Sequence, residues 1–123
     1  MRRVLVTGGR SNLGEAIRNK FIKEGYEVWY TVSDKSKIDS DKAIAVDLSN
    51  EEKVKNAFSF LDSLDVLVNN AGVFTEGKQD SLPLSSFDEV FSLNVKGLFL
   101  VTRELLPLLK KSDGSIVNIS SMN

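Results

Sequence analysis

Five stretches carry residues whose types suit chemistry: Thr7-Gly8-Gly9-Arg10-Ser11-Asn12-Leu13-Gly14, Asp47-Leu48-Ser49, Asn69-Asn70-Ala71-Gly72, Asn94-Val95-Lys96-Gly97 and Ile119-Ser120-Ser121. The first suits an anion. Between a strand and a helix, its backbone would turn sharply at Gly8 and the helix would pack close at Gly14. The unpaired first amides of that helix, with the helix dipole, would then face a phosphate. Asn12 stands where such turns usually have another glycine. Asparagine tolerates a left-handed backbone and can cap a helix, so Asn12 is expected to keep the turn and add a side-chain contact. Glycine also occurs at strand-to-helix joints for packing alone, so the weight of this turn comes from the other stretches.

What the chain lacks narrows the chemistry further. Among its 123 residues there is no cysteine and no histidine. Disulfides, thiolate metal sites, Ser-His-Asp triads and HExxH zinc sites are therefore excluded, no metal is expected, and catalysis would fall to hydroxyl, lysine or carboxylate groups. Sixteen basic and seventeen acidic residues leave a formal net charge of -1, with no broad basic field for nucleic acid or anionic lipid. No apolar run approaches the roughly 20 residues of a membrane span. After Met1-Arg2-Arg3 the apolar run is cut short by Gly8-Gly9-Arg10, too soon for a signal peptide. The expectation is a cytoplasmic protein that binds neither nucleic acid nor membrane.

The elements that must position these stretches alternate. Val4 to Thr7 is a short apolar run suited to a strand buried on both faces. Leu13, Ala16, Ile17 and Phe21 then fall on one helical face, with Gly25 placed to end the helix. Glu27 to Val32 and Ala43 to Val46 are the next strands. Ser49 with Glu52 forms a capping box ahead of the stripe Val54, Ala57, Phe58 and Leu61. Asp65 to Asn69 is a fourth strand, with a long loop after it. A second capping box, Ser86 with Glu89, opens a helix expected to run to about Lys111, with Pro107 disturbing only its last turn. Ser115 to Ile119 is the fifth strand. This alternation predicts an α/β fold: a doubly wound, mainly parallel sheet in the order 3-2-1-4-5, helices on both faces, in a single domain over residues 1–123. In such a sheet ligands bind at the carboxyl ends of the strands, where the polar stretches fall.

Taken together, the stretches resemble the compact form of the short-chain dehydrogenase/reductase family. Its TGxxxGxG turn is matched by Thr7, Gly8 and Gly14, with Asn12 as the departure, and its acidic residue after the third strand by Asp47-Leu48-Ser49. Its NNAG tetrad is matched in full by Asn69 to Gly72, its NVxG by Asn94 to Gly97, and its serine strand end by Ile119-Ser120-Ser121. The resemblance implies a Rossmann-like fold and an NAD(P)-dependent oxidoreductase that moves hydride between a nicotinamide and a carbonyl/alcohol substrate. Thr7, Gly8, Arg10, Ser11, Asn12, Leu13 and Gly14 would surround the diphosphate. Asp47 and Leu48 would meet the adenine, and Asn70, Ala71 and Gly72, with Ser33 and Ile119, the ribose and sheet crevice. Ser121 would hydrogen-bond the substrate and Asn94 would hold a water in a proton relay.

In that family a tyrosine passes the proton, helped by a lysine four residues later, because a free phenol near pKa 10 is a poor base at neutral pH. That pair is expected beyond Ser121. The only tyrosines are Tyr26 and Tyr30, neither with a lysine four places on. The expectation is therefore an amino-terminal half, inactive by itself, of a roughly twofold longer enzyme. Its open fifth strand and apolar long helix favour association or disorder, and the resemblance implies a dimeric or tetrameric parent. The alternative is a non-catalytic dinucleotide-binding sensor or scaffold. A flavin or mononucleotide binder is disfavoured, since the tetrad would have no role there. The second strand ends at Val32-Ser33, without the carboxylate that would hold a ribose 2'-hydroxyl, and Arg10 and Lys35 are candidates for a 2'-phosphate. NADP is therefore expected over NAD.

Overall fold

Val4, Leu5 and Val6 are completely buried, which a short apolar run achieves only when both faces of its strand are covered. In the computed structural model, which describes residues 1–72 and 83–120, this run belongs to β1 (Arg3–Val6). It lies at the centre of a five-stranded sheet with β2 (Glu27–Val32), β3 (Ala43–Ala45), β4 (Val66–Asn69) and β5 (Ser115–Asn118). All pairings are parallel, in the predicted order 3-2-1-4-5. Leu5 stands opposite Trp29 on one side and Leu67 on the other. The winding reverses between β1 and β4, and the polar stretches gather at that end of the sheet.

Successive side chains point to opposite faces. Val4, Val6, Val28, Tyr30 and Val68 pack with Ile17 and Phe21 of α1 (Asn12–Lys23). Leu5 and Leu67 pack with Val54 of α2 (Glu51–Ala57) and with Val101 and Leu105 further along the chain. Of the predicted stripe on α1, Leu13 and Ala16 are exposed. α1 ends at the expected glycine: Gly25 has φ 89°, and the amides of Gly25 and Tyr26 donate to the carbonyls of Ile22 and Phe21, both at 3.0 Å. This double closure and the edge-on Phe21–Tyr26 contact stop the helix cleanly.

Three local expectations are corrected. Asn12 is the first residue of α1 and is not left-handed; the positive φ belongs to Gly8, at 65°, and Ser11 is the cap. Asn50, not Ser49, caps α2, its Oδ1 accepting from the Lys53 amide at 3.0 Å, because Ser49 is engaged by Asp47. The long helix is also interrupted. It begins as α3 (Leu84–Phe91), two residues before Ser86, since the Pro83 carbonyl accepts from the amides of Ser86 and Phe87. It then widens into a π turn over Ser92–Gly97 and resumes as α4 (Leu98–Ser112). Pro107 is accommodated within α4, which continues to Ser112. The loop expected after β4 falls largely outside the described residues.

Candidate functional site

The glycine turn is held in shape by side chains on β2 and just past the ends of β1 and β4. The Thr31 hydroxyl accepts from the Gly8 amide at 3.0 Å, and the Gly9 amide donates to the Thr31 carbonyl at the same distance. Thr7, buried at the end of β1, accepts through Oγ1 from the amides of Asn70 at 3.0 Å and Ala71 at 2.9 Å. Asn70 replies with its carboxamide Nδ2, which donates to the Gly8 carbonyl at 3.1 Å and to Ser11 Oγ at 3.2 Å. The turn after β1 and the tetrad after β4 are therefore one rigid unit, separated by more than sixty positions in the chain.

Gly8 and Gly14 are required by contact. A Cβ on Gly8 would lie 2.8 Å from the Ala71 Cα, on a backbone already at positive φ, and one on Gly14 would lie 2.2 Å from the Gly8 carbonyl oxygen. Ser11 Oγ accepts from the Gly14 amide at 3.0 Å. The amides of Asn12 and Leu13 precede any intrahelical acceptor and sit at the positive end of the helix dipole.

In front of this unit lies a cleft of about 740 Å³, a size typical of small-molecule and cofactor sites. It is lined by predicted residues from the glycine turn, the stretch after β3 and the tetrad, and by Ser33 at the end of β2: Gly8, Arg10, Ser11, Ser33, Asp47, Leu48, Ala71 and Gly72. Asp47 accepts from Ser49 through both its hydroxyl, at 2.6 Å, and its amide, at 3.0 Å. These bonds hold its carboxyl below the usual carboxylate value, so it faces the cleft as an anion. Asn94, on the π turn, places its Oδ1 against Gly72, 3.0 Å from where a Cβ would be. Such a local widening is frequent at functional sites.

Other expected residues lie elsewhere. Asn12 and Leu13 are exposed and do not line the cleft with their side chains. Ile119 lines a separate apolar groove with Ile17, Phe21 and Val117 on the α1 face. Ser121 lies outside the described residues. Lys37, not Lys35, is the lysine on the cleft wall, at the last position of the short 3-10 turn Lys35–Lys37.

Several lining residues carried no expectation from the sequence. Val46, Glu89 and Leu93 line the cleft, as do Thr31 and Val32 of β2. Thr31 had a sequence signal, a hydroxyl within an otherwise apolar strand end, and Val32 was marked only as the strand-end position without a carboxylate. Tyr30 was also unforeseen as a support: its side chain lies against Gly9, where a Cβ would come within 2.4 Å of the Tyr30 Cβ and 2.6 Å of the ring's Cδ2. The Arg18 guanidinium stacks over that ring at 3.8 Å and donates to the Gly9 carbonyl at 2.7 Å. Burial, reinforced by Asp39, pushes the Tyr30 phenol above its ordinary value, so it stays protonated and donates. Tyr30 packs with the core on the α1 face and is a scaffold for the turn.

Residues 2–123 match the family described as short chain dehydrogenase. The chain belongs to that family. Serine 3-dehydrogenase of Rhizobium radiobacter is 32% identical, over 97% of this chain and 53% of the relative. 3-Amino-tetrahydro-pyrrolizinone reductase of Xenorhabdus hominickii is 33% identical, over 96% and 45%. Among solved structures, ligand-free aldohexose dehydrogenase of Thermoplasma acidophilum superposes with a TM-score of 0.87 at 32% identity, over 98% of this chain and 49% of that one. The 3-ketoacyl-(acyl-carrier-protein) reductase of Brucella melitensis, solved with NADH, gives 0.84 at 30% identity, over 98% and 57%. The chain spans about half the length of the curated relatives it matches. Among the described residues no helix is long and apolar enough to cross a membrane.

Proposed function

We propose that residues 1–123 are the cofactor-holding part of an NAD(P)-dependent oxidoreductase acting on a carbonyl/alcohol pair, with the proton-transferring Tyr-x-x-x-Lys carried on chain beyond Asn123. One observation carries the reading: the glycine turn and the Asn70–Ala71 amides are locked together by Thr7 at the rim of the cleft. The residues suit a dinucleotide. The Asn12 and Leu13 amides, with Gly8 beneath them, would hold the diphosphate; Asp47 and Leu48 the adenine; Asn70, Ala71 and Gly72 the adenosine ribose.

Bound nicotinamide supplies or accepts the hydride. The chain's own part is to fix that ligand and to place polar groups near the reacting centre. Asn94, beside Gly72, would hold a water for proton passage, and Ser121 would donate to the substrate oxygen. Without the Tyr-Lys pair the 1–123 chain is expected to turn over no substrate. NADP is favoured over NAD, because β2 ends in Val32 and Ser33 without a carboxylate while Arg10 and Lys37 line the same wall. Small molecules are the expected substrates, and a homo-oligomer the expected assembly.

The test is a titration of the complete gene product with NADPH and NADH, and then turnover with carbonyl substrates. Saturable binding with turnover is the expected result. Binding without turnover would instead favour a sensor or scaffold, and no binding of either nucleotide would end the proposal.

A further inference from the structure

Arg10 is not a loose surface cation. Its Nη1 donates to the Lys37 carbonyl at 3.0 Å, and its Nε pairs with an Asp39 oxygen at 3.5 Å. Asp39 is in turn held by the Tyr30 hydroxyl, which donates to its carboxylate and also lies 2.8 Å from Ser40 Oγ. Because the Tyr30 ring is wedged between Gly9 and the Arg18 guanidinium, the anchor of Asp39 is part of the same assembly that shapes the glycine turn.

From this arrangement we infer that Asp39 is a specificity-determining residue: a resident carboxylate that competes with the cofactor's 2'-phosphate for Arg10 and so sets how strongly NADP is preferred over NAD. The inference rests on the proposed dinucleotide reading. A phosphomonoester brings nearly two negative charges and three acceptor oxygens, and it would have to share or displace Asp39 at the guanidinium. A bare 2'-hydroxyl carries no charge and does not compete with that carboxylate for the Arg10 guanidinium. Asp39 therefore opposes one nucleotide and not the other, whereas Arg10 and Lys37 attract the first. The Arg10 and Asp39 side chains are 46% and 44% exposed, so water and salt screen the competition and the effect is modest.

The experiment compares NADPH and NADH dissociation constants for the complete gene product and its Asp39→Asn variant, at low and high salt. Asparagine keeps the size and the acceptor for Tyr30 while removing the charge. NADPH binding is expected to tighten about threefold at low salt, with NADH binding unchanged and the gain shrinking at high salt. Tyr30→Phe, which releases Asp39 without altering its charge, is expected to move the ratio the same way by less. Tight binding of both nucleotides with a ratio that Asp39→Asn leaves unmoved would overturn the inference and spare the proposed function. A wild-type protein that binds neither nucleotide would overturn both.

Discussion

The centre of the sheet and its β5 edge use the same kinds of residue to opposite effect. Val4, Leu5 and Val6 are 0% exposed, whereas Ile116 and Val117 are 39% and 42% exposed. At the centre, helices cover both faces and Thr7 ties β1 to the tetrad after β4. At the edge, among the described residues, β5 pairs only with β4, and Asn69 adds a strap, donating to Asn118 Oδ1 at 2.9 Å and to Thr102 Oγ1 at 3.1 Å. The glycine-turn side is therefore covered and cross-tied, while the β5 side presents apolar surface of the kind that proteins cover or pair.

Paired substitutions sharpen that contrast most. Leu5→Ala removes a fully buried side chain between α2 and α4 and should cost about 2–5 kcal/mol. Val117→Thr at the edge should stay within about 0.5 kcal/mol in the 1–123 chain. Urea unfolding of the two variants measures both. An edge substitution as costly as the central one would mean that self-association covers β5 in that sample.

The next effect is at the joint. Thr7→Val keeps the shape but removes the acceptor for two amides, those of Asn70 and Ala71, and should destabilise by about 1–3 kcal/mol. Cofactor affinity of the complete protein should fall as well, because the tetrad would no longer be fixed against the glycine turn. Lost stability with unchanged affinity would show that the two loops work independently.

Much of this was legible in the sequence, for physical reasons that also set the limits. The central strands announced themselves because burial on both faces demands continuous apolar runs, and Gly8, Gly14 and Gly25 because contact or positive φ excludes a Cβ. The π turn was not legible. Gly97 comes close against Leu48, its absent Cβ 3.3 Å from that residue's carbonyl oxygen, and a tertiary approach of this kind leaves no periodic mark. The α2 cap slipped by one position for a similar reason: Ser49 has two attractive partners in the sequence, and only the fold shows that Asp47 takes it. Asn12 misled because a carboxamide suits both a left-handed turn and a first helical position, and Ser11 had already supplied the cap.

The smallest effect is electrostatic and lies at the opposite end of the sheet from the cleft. Arg3 and Glu27 are register partners across β1 and β2, joined by a charge-assisted hydrogen bond, and Lys42 reaches the same carboxylate at 3.3 Å. The Arg3 bond, with help from Lys42, holds the Glu27 carboxyl below its ordinary value of 4.5. A carboxyl whose folded pKa is depressed contributes fully above the unfolded pKa and loses that contribution as pH falls through the folded one. Glu27→Gln should therefore cost about 1 kcal/mol or less at neutral pH, and the gap between wild type and variant should close as pH falls below 4.5. Unfolding curves from pH 7 to pH 3 would measure it. A gap that persisted unchanged into acid would show that Glu27 acts by packing over β1 and β2, with its charge contributing nothing to stability.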